Sequence, residues 1–278
     1  MLSAPPAQAV TSLGASWIPY LIAGVLLVVL AVMARLRART GVAVALSEFL
    51  LVRGATLLLI AGMVGLLADA AAEGDGLTAV DRPMWSWFIG HRGAVLTAAA
   101  KTVTTVGNTA VMGAVAVVVV VALAWRRHRG EAALVAVVAA GAALIVVVTK
   151  PIVGRLRPPE EFRLVTETNQ SFPSGHAVAS MAILGVLAIV LIPRLAGHRW
   201  RVTATIAVVV FVALIGLSRL YLGVHWPTDV AGGWLTGFGW LLLCLTVRTL
   251  WRTYPALFPT WGRRAAARPD RSVLGSDL

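Results

Sequence analysis

The sequence predicts an all-α bundle of transmembrane helices, and three observations carry that prediction. Of its 278 residues, 59% are hydrophobic and only 13% are charged, whereas soluble domains run at about 45–50% apolar and about 25% charged. Apolar runs of membrane length recur along the chain, each near the roughly 20 residues that a helix needs to cross the hydrocarbon core. Between them the basic residues gather in short clusters: Arg35, Arg37 and Arg39; Arg126, Arg127 and Arg129; Arg194, Arg199 and Arg201; then Arg248 through Arg271.

Seven runs qualify as spans, at 17–34, 54–72, 103–125, 132–149, 175–192, 202–220 and 230–248. The first follows 16 residues without lysine or arginine, is too long for a signal-peptide core and is followed by arginines, so it reads as a retained helix. The third begins on a polar stretch, "KTVTTVGN". Residues 84–102 just before it read either as an amphipathic segment at the interface, with Trp85, Trp87 and Phe88 at headgroup depth, or as an ordinary surface loop. Glycines 232, 233, 237 and 239 in the last run point to close helix packing.

The net charge of +12 is distributed by the positive-inside rule rather than as a nucleic-acid footprint. Connections at 35–53, 126–131 and 193–201, with the tail 249–278, fall on the cytoplasmic side. Those at 73–92, 150–174 and 221–229 fall on the other. The tail, rich in Arg, Ala and Pro, is expected to be disordered. Cys244 is the only cysteine and lies in an apolar run, which excludes an intrachain disulfide and a cysteine-based metal site.

Two polar loops share the non-cytoplasmic face. The first opens with "KPIVGRLRP", where Lys150 and Arg157 supply cations and a guanidinium can hold a phosphate through two parallel bonds. It closes on "SFPSGHA". There Ser174 suits an N-cap, Gly175 admits close backbone approach, and the helix start offers N–H groups to an anion beside His176. The second loop, "SRLYLGVHWPTD", adds Arg219 and sets His225 four residues before Asp229. If Pro227 starts a helix, the carboxylate meets the imidazole and fixes its tautomer. Taken one at a time, these residues are equally snorkelling cations, a plain cap and a structural His–Asp bond. Taken together they suit phosphoryl transfer through a histidine.

These three segments resemble the three-part signature of the type 2 phosphatidic acid phosphatase (PAP2) superfamily. Lys150 is followed after six residues by Arg157 and Pro158; Pro173, Ser174, Gly175 and His176 stand in a row; Ser218 and Arg219 precede His225 and Asp229. The resemblance implies a six-helix core within 54–248, preceded by an additional N-terminal helix in 1–53. It implies that His225 is the nucleophile, Asp229 its orienting acid and His176 the general acid and base. Lys150, Arg157, Ser174, Gly175 and Arg219 would bind phosphate. No metal or cofactor is implied.

The substrate expected from the resemblance is a lipid phosphate or diphosphate reached from the bilayer, such as undecaprenyl diphosphate, phosphatidic acid or phosphatidylglycerol phosphate. The enzyme would sit in a bacterial plasma membrane with its site near the extracytoplasmic face. A phosphotransferase on the same site and a non-catalytic lipid-phosphate binder or transporter are the alternatives. Several loop residues, Arg155, Glu160, Glu161 and Arg163 among them, read as solvated. Tyr221 and Trp226 read as interfacial anchors.

Overall fold

The computed structural model describes residues 18–36 and 41–254. Residues 1–17 and 255–278, and with them most of the tail expected to be disordered, lie outside the described residues. Among the described residues the regular elements are all helices: α1 (Ile18–Leu36), α2 (Gly41–Glu73), α3 (Asp81–Gly90), α4 (Ala94–Val106), α5 (Thr109–Trp125), α6 (Arg129–Val153), α7 (Gly175–Arg194), α8 (His198–Tyr221) and α9 (Pro227–Thr253). Within α7, Ser180–Leu184 form a π turn and Ile192–Arg194 a 3-10 turn.

By length and composition α2, α6, α7, α8 and α9 can each cross a membrane, and α1 adds a shorter apolar stretch, Leu21–Arg35. The third expected span takes a different form. It starts earlier than 103, as α4, and bends by 44° into α5. The physical cause lies in the polar stretch that weakened the sequence pattern. Gly107 ends α4, and the Asn108 side chain accepts a 2.8 Å bond from Ala110 N, capping α5. Residues 84–102 are accordingly helical, shared between α3 and α4, rather than a loop. The basic connection expected at 35–53 is also mostly helix. At 33 residues and 1.5 Å per residue, α2 is about 50 Å long and continues past a core about 30 Å thick.

Close approach of backbones sets the packing. A Cβ on Gly24 would stand 2.6 Å from Leu58 Cγ, and one on Gly54 3.0 Å from the Gly24 carbonyl, so α1 lies tightly on α2. Leu27, Ala31, Leu57 and Val64 fill that seam against Leu242 and Leu250 of α9. A second core, including Val135, Val138, Val178, Val186 and Leu241, joins α5, α6, α7 and α9. Gly233 and Gly237 of α9 allow the close helix packing expected of them. Cβ atoms at Gly233 and Gly237 would fall 2.9 Å from the Ser174 carbonyl and 2.7 Å from that of Val178. That contact presses the start of α7 against the start of α9, and so brings the two motif-bearing loops together.

Candidate active site

Asp229 is the residue around which the site is built. Pro227 starts α9, and the Asp229 carboxylate turns back to accept a 2.8 Å bond from the Trp226 backbone N–H. The same Oδ2 accepts from Ser171 Oγ at 2.5 Å and lies 3.3 Å from His225 Nδ1. Asp229 is fully buried and His225 is 1% exposed. The other ring nitrogen, Nε2, stands 3.1 Å from Arg157 Nη1. A guanidinium has no lone pair to offer, so Nε2 must accept and Nδ1 must carry the hydrogen toward Asp229. The imidazole is thereby held neutral, with its lone pair directed at a cation. Burial above all, and then the charges of Arg157, Arg219 and Lys150, keep the His225 pKa well below the ordinary histidine range.

The three cations of the motifs, expected to bind phosphate, are buried and do not snorkel to the membrane edge. Lys150 Nζ donates to Asn169 Oδ1 at 3.2 Å and to the Gln170 carbonyl. Arg157 is 4% exposed at its side chain. Its Nε donates to the Asn169 carbonyl at 2.7 Å, Nη2 to Asn169 Oδ1 at 2.6 Å and Nη1 to the Val224 carbonyl at 2.6 Å. Burial pulls the Arg157 pKa down to about 10, opposed by Glu167, and leaves it cationic at neutral pH. Arg219, 2% exposed, donates to Thr104 Oγ1 at 2.7 Å and to the Glu167 carboxylate. Arg157 reaches the other oxygen of Glu167 at 3.4 Å. One carboxylate thus spans two of the three cations.

Ser174 occupies the N-cap position of α7, yet its hydroxyl makes no capping bond. Ser174 Oγ and Arg219 Nε are buried without a hydrogen-bond partner. Buried polar groups normally find partners, and an orphan calls for a functional account. Gly175 and His176 follow in the first turn, and both are buried. A Cβ on Gly175 would meet only Val146 and Thr109 at ordinary distances of 3.4 and 3.6 Å, so packing does not demand glycine there.

Two expectations are corrected. Arg155 is not solvated: its side chain is 8% exposed and lies between two buried acids, donating to Asp229 Oδ1 at 2.6 Å and to Asp81 Oδ2 at 2.5 Å. Thr228 closes the network, with its N–H on Asp81 Oδ1 and its hydroxyl on Asp81 Oδ2. The turn makes this possible. Gly154, at φ +65°, ends α6 in the left-handed region, so that Arg155 and Arg157 reach different partners. Tyr221 is not an interfacial anchor. It is buried, and its hydroxyl accepts from Gly93 N at 2.8 Å, tying α8 to the start of α4. Trp226 is half-buried, with Nε1 on the Leu156 carbonyl and its ring 5.6 Å from that of Trp85. Glu160 and Glu161 are exposed, as expected.

Sequence reasoning missed Asp81, Thr104, Glu167, Asn169 and Ser171. Glu167, Asn169 and Ser171 do share the charged loop 150–174 with the first motif, and the density of polar groups in "TETNQS" was a usable signal. Asp81 and Thr104 carried none, because each reaches the site only through tertiary packing.

Residues 130–252 match the model of the PAP2 superfamily. The chain is 41% identical over 104 residues to phosphatidylglycerophosphatase B of Bacillus subtilis (strain 168), covering 36% of this chain and 48% of that protein. It is 36% identical over 95 residues to an undecaprenyl-diphosphatase of Sulfolobus acidocaldarius, covering 32% of this chain and 42% of that one. These matches therefore span under half the length of each curated relative. The crystal structure of a transmembrane PAP2-type phosphatidylglycerolphosphate phosphatase from Bacillus subtilis superposes with a TM-score of 0.62 at 27% identity, over 70% of this chain and 94% of that one. The chain is an integral membrane protein whose residues 130–252 match the PAP2 superfamily and whose fold is similar to that of a transmembrane PAP2-type phosphatase.

Proposed function

We propose that this protein hydrolyses a lipid phosphate or diphosphate through a phosphohistidine intermediate, without a metal. The observation that carries the reading is the placement of His225, with Asp229 at 3.3 Å from one ring nitrogen and Arg157 at 3.1 Å from the other. A neutral imidazole held in one tautomer and facing a phosphate-binding cation is a nucleophile ready for phosphorus.

In this mechanism the phosphate oxygens take the place of the Glu167 carboxylate against Arg157 and Arg219. Lys150, Ser174 Oγ, Arg219 Nε and the N–H groups of Gly175 and His176 complete the cradle. Charge spreading over the equatorial oxygens is stabilised by these fixed donors, the part that magnesium takes in kinases. His225 Nε2 bonds to phosphorus as the lipid oxygen leaves, and His176 gives that oxygen its proton. Asp229 stabilises the imidazolium that forms. His176 then takes a proton from water, the hydroxide attacks phosphorus, the P–N bond breaks, and His225 and His176 return to their starting states.

The charge pattern supports a site on the extracytoplasmic face. Names of the relatives support phosphatidylglycerol phosphate and undecaprenyl diphosphate as substrates to test, with phosphatidic acid beside them. The test is phosphate release from these three lipids by the purified protein in detergent with EDTA. The reading expects turnover that His225→Ala abolishes. Tight lipid binding by folded protein without any phosphate release would overturn it in favour of a binding role.

A further inference from the structure

A groove of about 790 Å³ lies at the end of the bundle remote from His225, between the start of α6 and the last turns of α9. That volume is in the range, about 300–1,000 Å³, of sites that hold small organic ligands. Along α6, Arg129 in the groove and Lys150 in the candidate site are 21 residues apart, roughly 30 Å at the helical rise. The groove is therefore a separate site on the opposite face of the membrane domain.

Its floor is apolar, formed by Leu134, Trp240 and Val247, and its rim carries Arg127, Arg129, Arg248 and Arg252. The carboxylate in its lining, Glu131, is engaged by Arg194. Among the described residues none of the four rim arginines makes an ion pair. Arg127 has a second peculiarity. At φ 63° it is the only non-glycine among the described residues with a positive φ. Glycine is the residue that adopts this conformation at least cost, and strained backbone of this kind collects at ligand clamps. The turn holds an arginine at that point on the rim nonetheless.

We propose that this groove binds an anionic phospholipid from the leaflet on the arginine-rich side, its acyl chain on the apolar floor and its phosphate among the four guanidiniums. The two ends of the groove call for one molecule with two matching ends. A free anion would leave the apolar floor uncovered, and a zwitterionic lipid would leave the rim cations uncompensated. Basic pockets between transmembrane helices are established places for anionic headgroups. This site does not depend on the reaction proposed for His225.

The experiment uses the full chain in phosphatidylcholine nanodiscs that contain an equal fraction of either phosphatidylglycerol or phosphatidylcholine brominated on the acyl chains. Bromine quenches nearby tryptophan fluorescence, and Trp240 and Trp251 line the groove. Their share is the difference from a Trp240→Phe/Trp251→Phe variant. The proposal expects stronger quenching of that share by brominated phosphatidylglycerol, reduced several-fold in Arg127→Gly and in Arg248→Gln and unchanged in Arg157→Ala. Arg127→Gly relieves the left-handed backbone, so its melting temperature should hold or rise and misfolding cannot mimic the loss. Equal quenching by the two lipids, or an excess that survives both rim substitutions, overturns the proposal. So does weak quenching by both, which would mean that protein, such as residues 255–278 or a second copy, covers the groove.

Discussion

Arg155 donates from Nη1 to Asp229 Oδ1 at 2.6 Å, and with its second nitrogen it binds Asp81 at 2.5 Å, so one guanidinium joins α3 to the start of α9. All three side chains are under a tenth exposed. Asp229 in turn orients His225, which makes Arg155 a positioning residue for the proposed nucleophile.

Removing the guanidinium leaves two buried carboxylates unpaired. Breaking a buried pair from one side costs about 3–5 kcal/mol, so Arg155→Ala should lower the melting temperature in detergent strongly. Arg155→Lys keeps the charge but cannot reach both acids in the same geometry. It should lower kcat about tenfold, which corresponds to ~1.4 kcal/mol of barrier, with little change in KM. A normal kcat in Arg155→Lys would mean that the network is structural only.

Glu167 spans Arg157 and Arg219 with its carboxylate. An anion entering that cradle must replace it. Glu167→Gln removes the competing charge and keeps the shape. Inhibition by inorganic phosphate should tighten about tenfold, or ~1.4 kcal/mol. An unchanged or weaker inhibition constant would mean that Glu167 assists phosphate binding rather than opposing it.

The His225 imidazole also sets a pH dependence. Its folded pKa lies well below the ordinary value, chiefly through burial and then through Arg157 and Arg219. The unfolded chain takes up the proton first as pH falls. The contribution of neutral His225 to stability is therefore full above about pH 6.5 and is lost progressively below it, toward the folded pKa. Melting temperature should fall between pH 6.5 and pH 5, and the fall should be shallower in His225→Gln. An equal slope in the two proteins would place the titrating group elsewhere.

The contact of α9 with α7 offers a mechanical test. A Cβ at Gly237 would stand 2.7 Å from the Val178 carbonyl and 3.0 Å from Met181 Cβ. Overpacking of this kind costs roughly 1–3 kcal/mol. Gly237→Ala should both destabilise the protein and lower activity, because the helix that carries Ser174 and His176 must shift. Gly62→Ala on α2, where a Cβ meets nothing within 4 Å, is the control and should leave both unchanged.

Much of this fold was legible because membrane spans are long and their periodicity hardly matters. The apolar runs that became α6, α7, α8 and α9 needed only length and composition. The bend at Gly107 and Asn108 was visible as polarity but not as geometry, since a cap inside an apolar region reads as a weak span. The motif residues around His225 were legible because His225 and Asp229 are four apart and their pairing is local. Arg155 was not. Two residues before Arg157 and equally charged, it differs only in the direction that the Gly154 turn gives it. Asp81 lies 147 residues before Thr228 in sequence, and nothing in its own neighbourhood marks it as a buried anchor.

The most direct test of the central claim is to trap the phosphoenzyme. The protein is mixed with lipid labelled in its phosphate, quenched in denaturant at alkaline pH, and checked for label on the chain. The account predicts a base-stable, acid-labile phosphate on His225, absent in His225→Ala and slow both to form and to decay in His176→Ala, where the proposed acid and base is missing. Label that persists in His225→Ala, or label on the chain that is acid-stable and base-labile, would contradict it.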